Sequence, residues 1–257
     1  MLTKVAACLA LVSSAACISP SGLDLPGPAN VELPEAELRV LFVGNSLTYA
    51  NGLPALVQTI AEAAGHELAQ ADISSPNFSL EDHWRSGAPE TISRLAPDVV
   101  VMQQGPSSLP ENQVYLRDWT EKLDESVRAA GGRSALFMVW PEQARQATAF
   151  PAVRTSYSNA AEAVNGIFIP AGEAWMELWS LDSRADLYGP DGFHPTQLGS
   201  VAAALTIFRM LFDEPVTGLP ARLSPTTPGL PTIAMDPDQA EMVYQAVETA
   251  VQKWGRR

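Results

Sequence analysis

Leu38-Arg-Val-Leu-Phe-Val-Gly-Asn-Ser-Leu-Thr48 is the stretch on which the fold turns. An apolar, β-branched run breaks off at Gly44, which reads as a buried parallel strand ending in a tight turn with Ser46 at its top. In open α/β sheets ligands gather at the carboxyl ends of the strands, and a helix starting just after such a turn leaves free N–H groups beside the hydroxyl. A serine in a strand-to-helix turn is most often only a helix cap. It becomes a nucleophile through a partner base, and Asp191-Gly-Phe-His194-Pro, on a loop bounded by Gly and Pro, offers one. An Asp three residues before a His can fold back so that its carboxylate meets Nδ1, leaving Nε2 to face Ser46.

Working outward, apolar runs alternate with helical patterns, as βαβ units require. Leu53, Leu56, Val57, Ile60, Ala61 and Ala64 make an apolar helix stripe, with Pro54 near its start and Gly65 just past its end. A second strand is expected over about Leu68 to Ile73. Ser79 with Asp82 forms a capping box for a helix running to about Leu95. Val99 to Met102 is the third strand. Leu116, Trp119, Leu123 and Val127 stripe a helix stopped by Gly131-Gly132, and Ala135 to Trp140 is the fourth strand. A helix over about Ala152 to Val164 precedes a fifth strand at Ile167-Phe-Ile169. Thr196 opens a helix carrying Leu198, Val201, Leu205 and Phe208. The tail is Pro-rich from Pro215 to Pro231 and closes on a helix from Asp238 to Trp254. Five strands joined through helices predict a three-layer α/β/α fold around a parallel sheet of flavodoxin-like order. Ser46, Asn77, Gln103 and His194 would then gather on one edge of that sheet.

Gly44-Asn45-Ser46-Leu47 followed by Asp191-Gly-Phe-His194 resembles the SGNH (GDSL-type) hydrolase superfamily, with Asn45 where the commoner signature has Asp. Together with Ser79-Leu-Glu-Asp-His-Trp84 and Pro170-Ala-Gly-Glu-Ala-Trp175, it is similar to a bacterial branch beginning Gly-Asn-Ser-Phe-Thr. The resemblance spans Glu37 to Pro220, and it implies the same fold and a serine hydrolase needing neither metal nor organic cofactor. In that chemistry His194 takes the Ser46 proton, Asp191 orients the imidazole, and an acyl-enzyme is then hydrolysed. The superfamily adds to the nucleophile's own N–H a Gly N–H after strand two and an Asn side chain after strand three. Here Ser75-Pro-Asn-Phe-Ser79 and Gln103-Gln104-Gly-Pro-Ser-Ser108 stand in those places. The expected oxyanion donors are therefore Ser46, Asn77 and the amide of Gln103, since Gln103 and Gln104 diverge across the strand and the related branch places a Gln directly after this strand.

The chain has 257 residues, 46% hydrophobic and 18% charged, enough for one substantial core. Its net charge of −13 leaves no basic stripe for phosphates, so nucleic acid is excluded as an expected partner and neutral or weakly charged small-molecule or carbohydrate esters fit better. Residues 1–16 read as an export signal: Met1 to Lys4 is a positive n-region, Val5 to Val12 an apolar h-region, and Ser14-Ala15-Ala16 precede Cys17. The position resembles a lipobox, although Ser14 stands where Leu is usual. Cys8 lies inside the signal, so Cys17 is the only cysteine left for the mature chain. A lipid on Cys17, a Pro/Gly/Ser-rich tether over residues 17–36 and a hydrolase domain over 37–257 are expected, in the outer membrane or periplasm, with the lipid the only membrane contact. The alternative is an ordinary secretory signal.

The three histidines, His66, His83 and His194, lack metal-ligand spacing. His66 follows a helix-ending Gly and reads as a solvated cap, whereas His83 either lines the pocket or packs. Trp119 and Trp254 sit on helix stripes and read as core. Trp140, at a strand's carboxyl end, and Trp175, before the Asp191 loop, are the candidate substrate-binding aromatics. Three functions fit: an esterase for a small acyl group such as acetyl on carbohydrate, a lipase or thioesterase for longer chains, and a surface binding protein on the same scaffold without turnover.

Overall fold

A computed structural model describes residues 31–257. The expected export signal, Cys17 and most of the expected tether lie outside the described residues. Val31 to Ala36 belong to the body of the domain: Leu33 is buried, its carbonyl and that of Pro34 accept from Arg39, and Val31 O accepts from Arg94.

The chain runs β1 (Leu38–Val43), α1 (Ser46–Tyr49), α2 (Leu53–Ala64), β2 (Leu68–Asp72), α3 (Leu80–Arg85), α4 (Ala88–Leu95), β3 (Val99–Met102), α5 (Pro110–Ala129), β4 (Arg133–Phe137), α6 (Gln146–Ala163), β5 (Ile167–Ile169), α7 (Ala171–Leu181) and α8 (Gln197–Phe212). A short antiparallel pair, β6 (Arg222–Leu223) and β7 (Ile233–Ala234), crosses the Pro-rich segment, and α9 (Pro237–Trp254) ends the fold. The five parallel strands lie in the order β2-β1-β3-β4-β5, the flavodoxin-like arrangement. Helices α3 to α6 pack together on one face; α2, α8, α7 and α9 pack on the other. Strands covered on both faces need apolar side chains at every position, and Val40 to Val43 and Val99 to Met102 are buried throughout. Each such large side chain contributes about 1.5–3 kcal/mol on burial.

The expected helix from Ser79 to Leu95 is two helices. The Ser79–Asp82 capping box is present, but Gly87 takes the left-handed backbone (φ +90°) and caps a second helix that starts at Ala88 with Pro89 in its first turn. Helix α7 and the β6–β7 pair are additional to the expected elements. His66 is no solvated cap. Its ring is stacked on Phe212, with Nδ1 3.1 Å from Glu37 and Nε2 2.7 Å from Glu214. It joins the entry to β1 to the exit of α8, and the two carboxylates raise its pKa above the ordinary value, Glu214 contributing most.

Candidate active site

Ser46 stands at the amino end of α1 because β1 stops at Gly44. A Cβ on Gly44 would lie 2.2 Å from Thr48 Oγ1 and 2.6 Å from Gln103 Oε1, so only glycine lets those side chains close beneath the turn. The cap of α1 is Asn45, whose Oδ1 accepts from Leu47 N–H, and Ser46 Oγ is thereby left free of capping duty. Asn45 Nδ2 donates to Phe78 O at 3.1 Å, a bond that an aspartate in this place would forfeit.

The Ser46 hydroxyl meets the base directly. His194 Nε2 lies 2.9 Å from Ser46 Oγ, and His194 Nδ1 lies 2.5 Å from Asp191 Oδ2. The other carboxylate oxygen accepts the backbone N–H groups of Phe193 and His194, both at 3.0 Å, so one Asp shapes the loop and holds the ring. The His194 bond, followed by those two N–H groups, lowers the Asp191 pKa to about 2. The charged carboxylate therefore fixes the protonated Nδ1 tautomer and leaves Nε2 to accept the serine proton. In the first turn of α1, Leu47, Thr48 and Tyr49 N–H groups all bond to Asn45. The Ser46 N–H has no acceptor among the described residues and stays open beside Oγ.

Gln103 is not placed as an oxyanion donor. It is fully buried, and Oε1 accepts from Asn45 N–H at 3.0 Å and Thr48 Oγ1 at 2.7 Å; the Asn45 N–H can only donate, which fixes the amide orientation. Nε2 donates to Asn45 Oδ1 and to Gln104 O, so the amide is spent on holding the nucleophile turn. Gln104 is likewise buried, accepting from Leu80 N–H and donating to Ser107 Oγ. Asn77 is exposed, with a left-handed backbone (φ +60°), in a loop pinned against the turn on both sides of it: Ser75 N–H donates to Gly44 O, and Phe78 O accepts from Asn45.

Trp140 and Trp175 are not placed as a substrate platform. Both are fully buried, stacked at 3.6 Å between centroids, behind the His194 loop. Trp140 Nε1 donates to Phe193 O, and Trp175 Nε1 to Gly199 O at 3.0 Å each. Their role is to support the loop, together with Tyr188, whose hydroxyl donates to Pro141 O. His83 packs too, donating Nε2–H to Gly44 O at 2.6 Å from a buried position; burial lowers its pKa and keeps the ring neutral.

Scans against protein-family models and curated proteins return no match. Solved structures are similar in fold. A DUF4886 family protein from Bacteroides uniformis superposes with a TM-score of 0.69 at 18% identity, covering 83% of this chain and 94% of that one. A putative SGNH hydrolase from Slackia heliotrinireducens gives 0.55 at 23% identity, covering 66% and 97%. A variant of an acetyl-xylooligosaccharide esterase from Geobacillus Stearmophilus gives 0.53 at 16% identity, covering 69% and 94%. The fold is that of the SGNH hydrolases.

Proposed function

We propose that the protein is a serine esterase that hydrolyses a small acyl ester through Ser46, His194 and Asp191. The observation that carries this reading is the continuous chain from Ser46 Oγ through His194 to Asp191, with the Ser46 N–H open beside the hydroxyl. Ser46 Oγ attacks the ester carbonyl while His194 Nε2 takes its proton, and the carbonyl oxygen becomes an oxyanion facing the Ser46 N–H. Asn77, held by its loop against the nucleophile turn, is the second donor in place of Gln103. Collapse breaks the carbon–oxygen bond to the alcohol, which leaves with the proton from His194. Water, deprotonated at the same nitrogen, then releases the acid and restores Ser46.

A short acyl group on a neutral carbohydrate is the substrate class in keeping with the chain's net charge of −13 and with the acetyl-xylooligosaccharide esterase of like fold. The site would face the envelope or the exterior, with Cys17 carrying the anchor. A panel of nitrophenyl esters from acetyl to palmitoyl tests the proposal. Turnover confined to the shortest chains is expected. Preference for palmitoyl would move the protein to the lipases, and silence across the panel would leave a binding protein.

A further inference from the structure

Asn51 lies in the turn between α1 and α2, five residues after Ser46, and its side chain crosses to the other half of the site. Nδ2 stands 3.0 Å from Pro195 O, 3.1 Å from Thr196 O and 2.9 Å from Ser200 Oγ. Carbonyl oxygens only accept, so the amide nitrogen must be the atom facing them. Pro195 follows His194 directly, and Thr196 is the cap of α8. A single amide therefore ties the segment that carries the nucleophile to the peptide that carries the base.

No other residue does this by hydrogen bonding among the described residues, the Ser46–His194 contact itself aside. The nucleophile turn is otherwise bonded to the end of β3 through Gln103, to α3 through His83 and to the loop after β2 through Ser75 N–H and Phe78 O. The His194 loop is otherwise bonded to the segment after β4, through Trp140 Nε1 to Phe193 O and through Gln143 N–H to Gly192 O. Each half is braced within itself. Asn51 also has a left-handed backbone (φ +54°), which Gly and Asn adopt at the lowest cost. Backbone alone would accept glycine; the three side-chain contacts require the amide.

We propose that Asn51 is a positioning residue for acyl transfer, a clasp that sets the Ser46 Oγ to His194 Nε2 separation. It rests on the Ser46–His194 reading above and adds to it a group that touches neither substrate nor reacting atoms. A misplacement of about 1 Å between reacting groups costs roughly 10²-fold in rate.

Asn51→Gly keeps the backbone free of strain and removes the amide, while Asn51→Asp keeps the shape and turns a donor toward two carbonyls into an acceptor. Both variants, assayed on nitrophenyl acetate, should lose about 10- to 100-fold in kcat with KM within about twofold, because alignment and not binding is disturbed. The rate at which a fluorophosphonate labels Ser46 should fall in parallel. A folded Asn51→Gly protein with wild-type kcat and labelling rate overturns the clasp. So does a variant whose melting temperature drops while kcat per folded molecule is unchanged, since that is a structural role alone. Absence of labelling and turnover in the wild type would instead bring down the esterase reading and the clasp with it; normal wild-type behaviour beside an unaffected Asn51→Gly sinks the clasp only.

Discussion

The turn that carries Ser46 and the loop that carries His194 are held by opposite means. Around the turn every support is buried and neutral: Gln103 is 0% exposed, His83 is buried and uncharged, and Gly44 leaves room for the side chains of Gln103 and Thr48. The loop projects from the sheet edge, and the Asp191 side chain is 52% exposed, held by a charged contact and two backbone N–H groups. Unsatisfied polar groups in a buried network cost about 1–3 kcal/mol each, whereas a solvated carboxylate is cheap to alter. Changes on the turn side should therefore disturb folding and catalysis together, and changes on the loop side catalysis almost alone.

The largest effect expected is in Ser46→Ala, which should lower kcat on nitrophenyl acetate by about 10⁶-fold, the cost of losing the nucleophile in triad enzymes. A melting temperature close to wild type would show the loss to be chemical. Asp191→Asn should lose roughly 10²- to 10⁴-fold with little change in melting, because the wrong tautomer is then favoured on an exposed loop. Full activity in that variant would assign the orienting role elsewhere. Gln103→Ala should split differently. Removing its amide strands the Asn45 N–H and the Thr48 hydroxyl, so urea unfolding should report about 3 kcal/mol of lost stability alongside a loss of kcat. A Gln103→Ala protein of normal stability but crippled kcat would return the amide to the oxyanion hole.

Two pH effects are smaller. Asp191, with a pKa near 2, keeps its charge above its unfolded value of 3.8 and loses the His194 contact only as pH falls through about 2. Asp191 should therefore add no inflection of its own to the acid limb of kcat/KM above about pH 3. A further inflection at higher pH would mean a second essential carboxylate. His66 shifts the other way. Its raised pKa makes its contribution to stability complete below about 6.5 and lost as pH rises through the higher folded value. His66→Gln should cost a few degrees of melting temperature at pH 6 and little at pH 9; an equal loss at both would assign His66 to packing on Phe212.

The sequence displays some of this arrangement and conceals the rest for physical reasons. Strand period, β-branching and Gly punctuation fix the five strands and their helices, since each is local. The break at Gly87-Ala-Pro89 was written in local residues and still falls inside an otherwise continuous periodic pattern, which hides it. Asp191 and His194 are legible as a pair because one loop supplies both. The place of Gln103 is not legible in the sequence, because whether a strand-end side chain turns toward the ligand or folds back under the neighbouring turn depends on the size of Gly44 and the reach of Thr48, which are tertiary facts. Trp140 and Trp175 misled in the same way: a residue at a strand's carboxyl end is near the site, but α7 arrives on top and turns it into core. The Asn51 bridge has a faint local trace, an Asn-Gly step after the nucleophile, and its partners Pro195, Thr196 and Ser200 are far away in sequence.

The most direct measurement is fluorophosphonate labelling followed by peptide mass mapping of the wild-type protein and of His194→Ala. A nucleophile activated by the loop histidine should give one adduct, on the peptide bearing Ser46, with labelling reduced by orders of magnitude in His194→Ala. An adduct on another serine, or equal labelling without His194, would contradict the account.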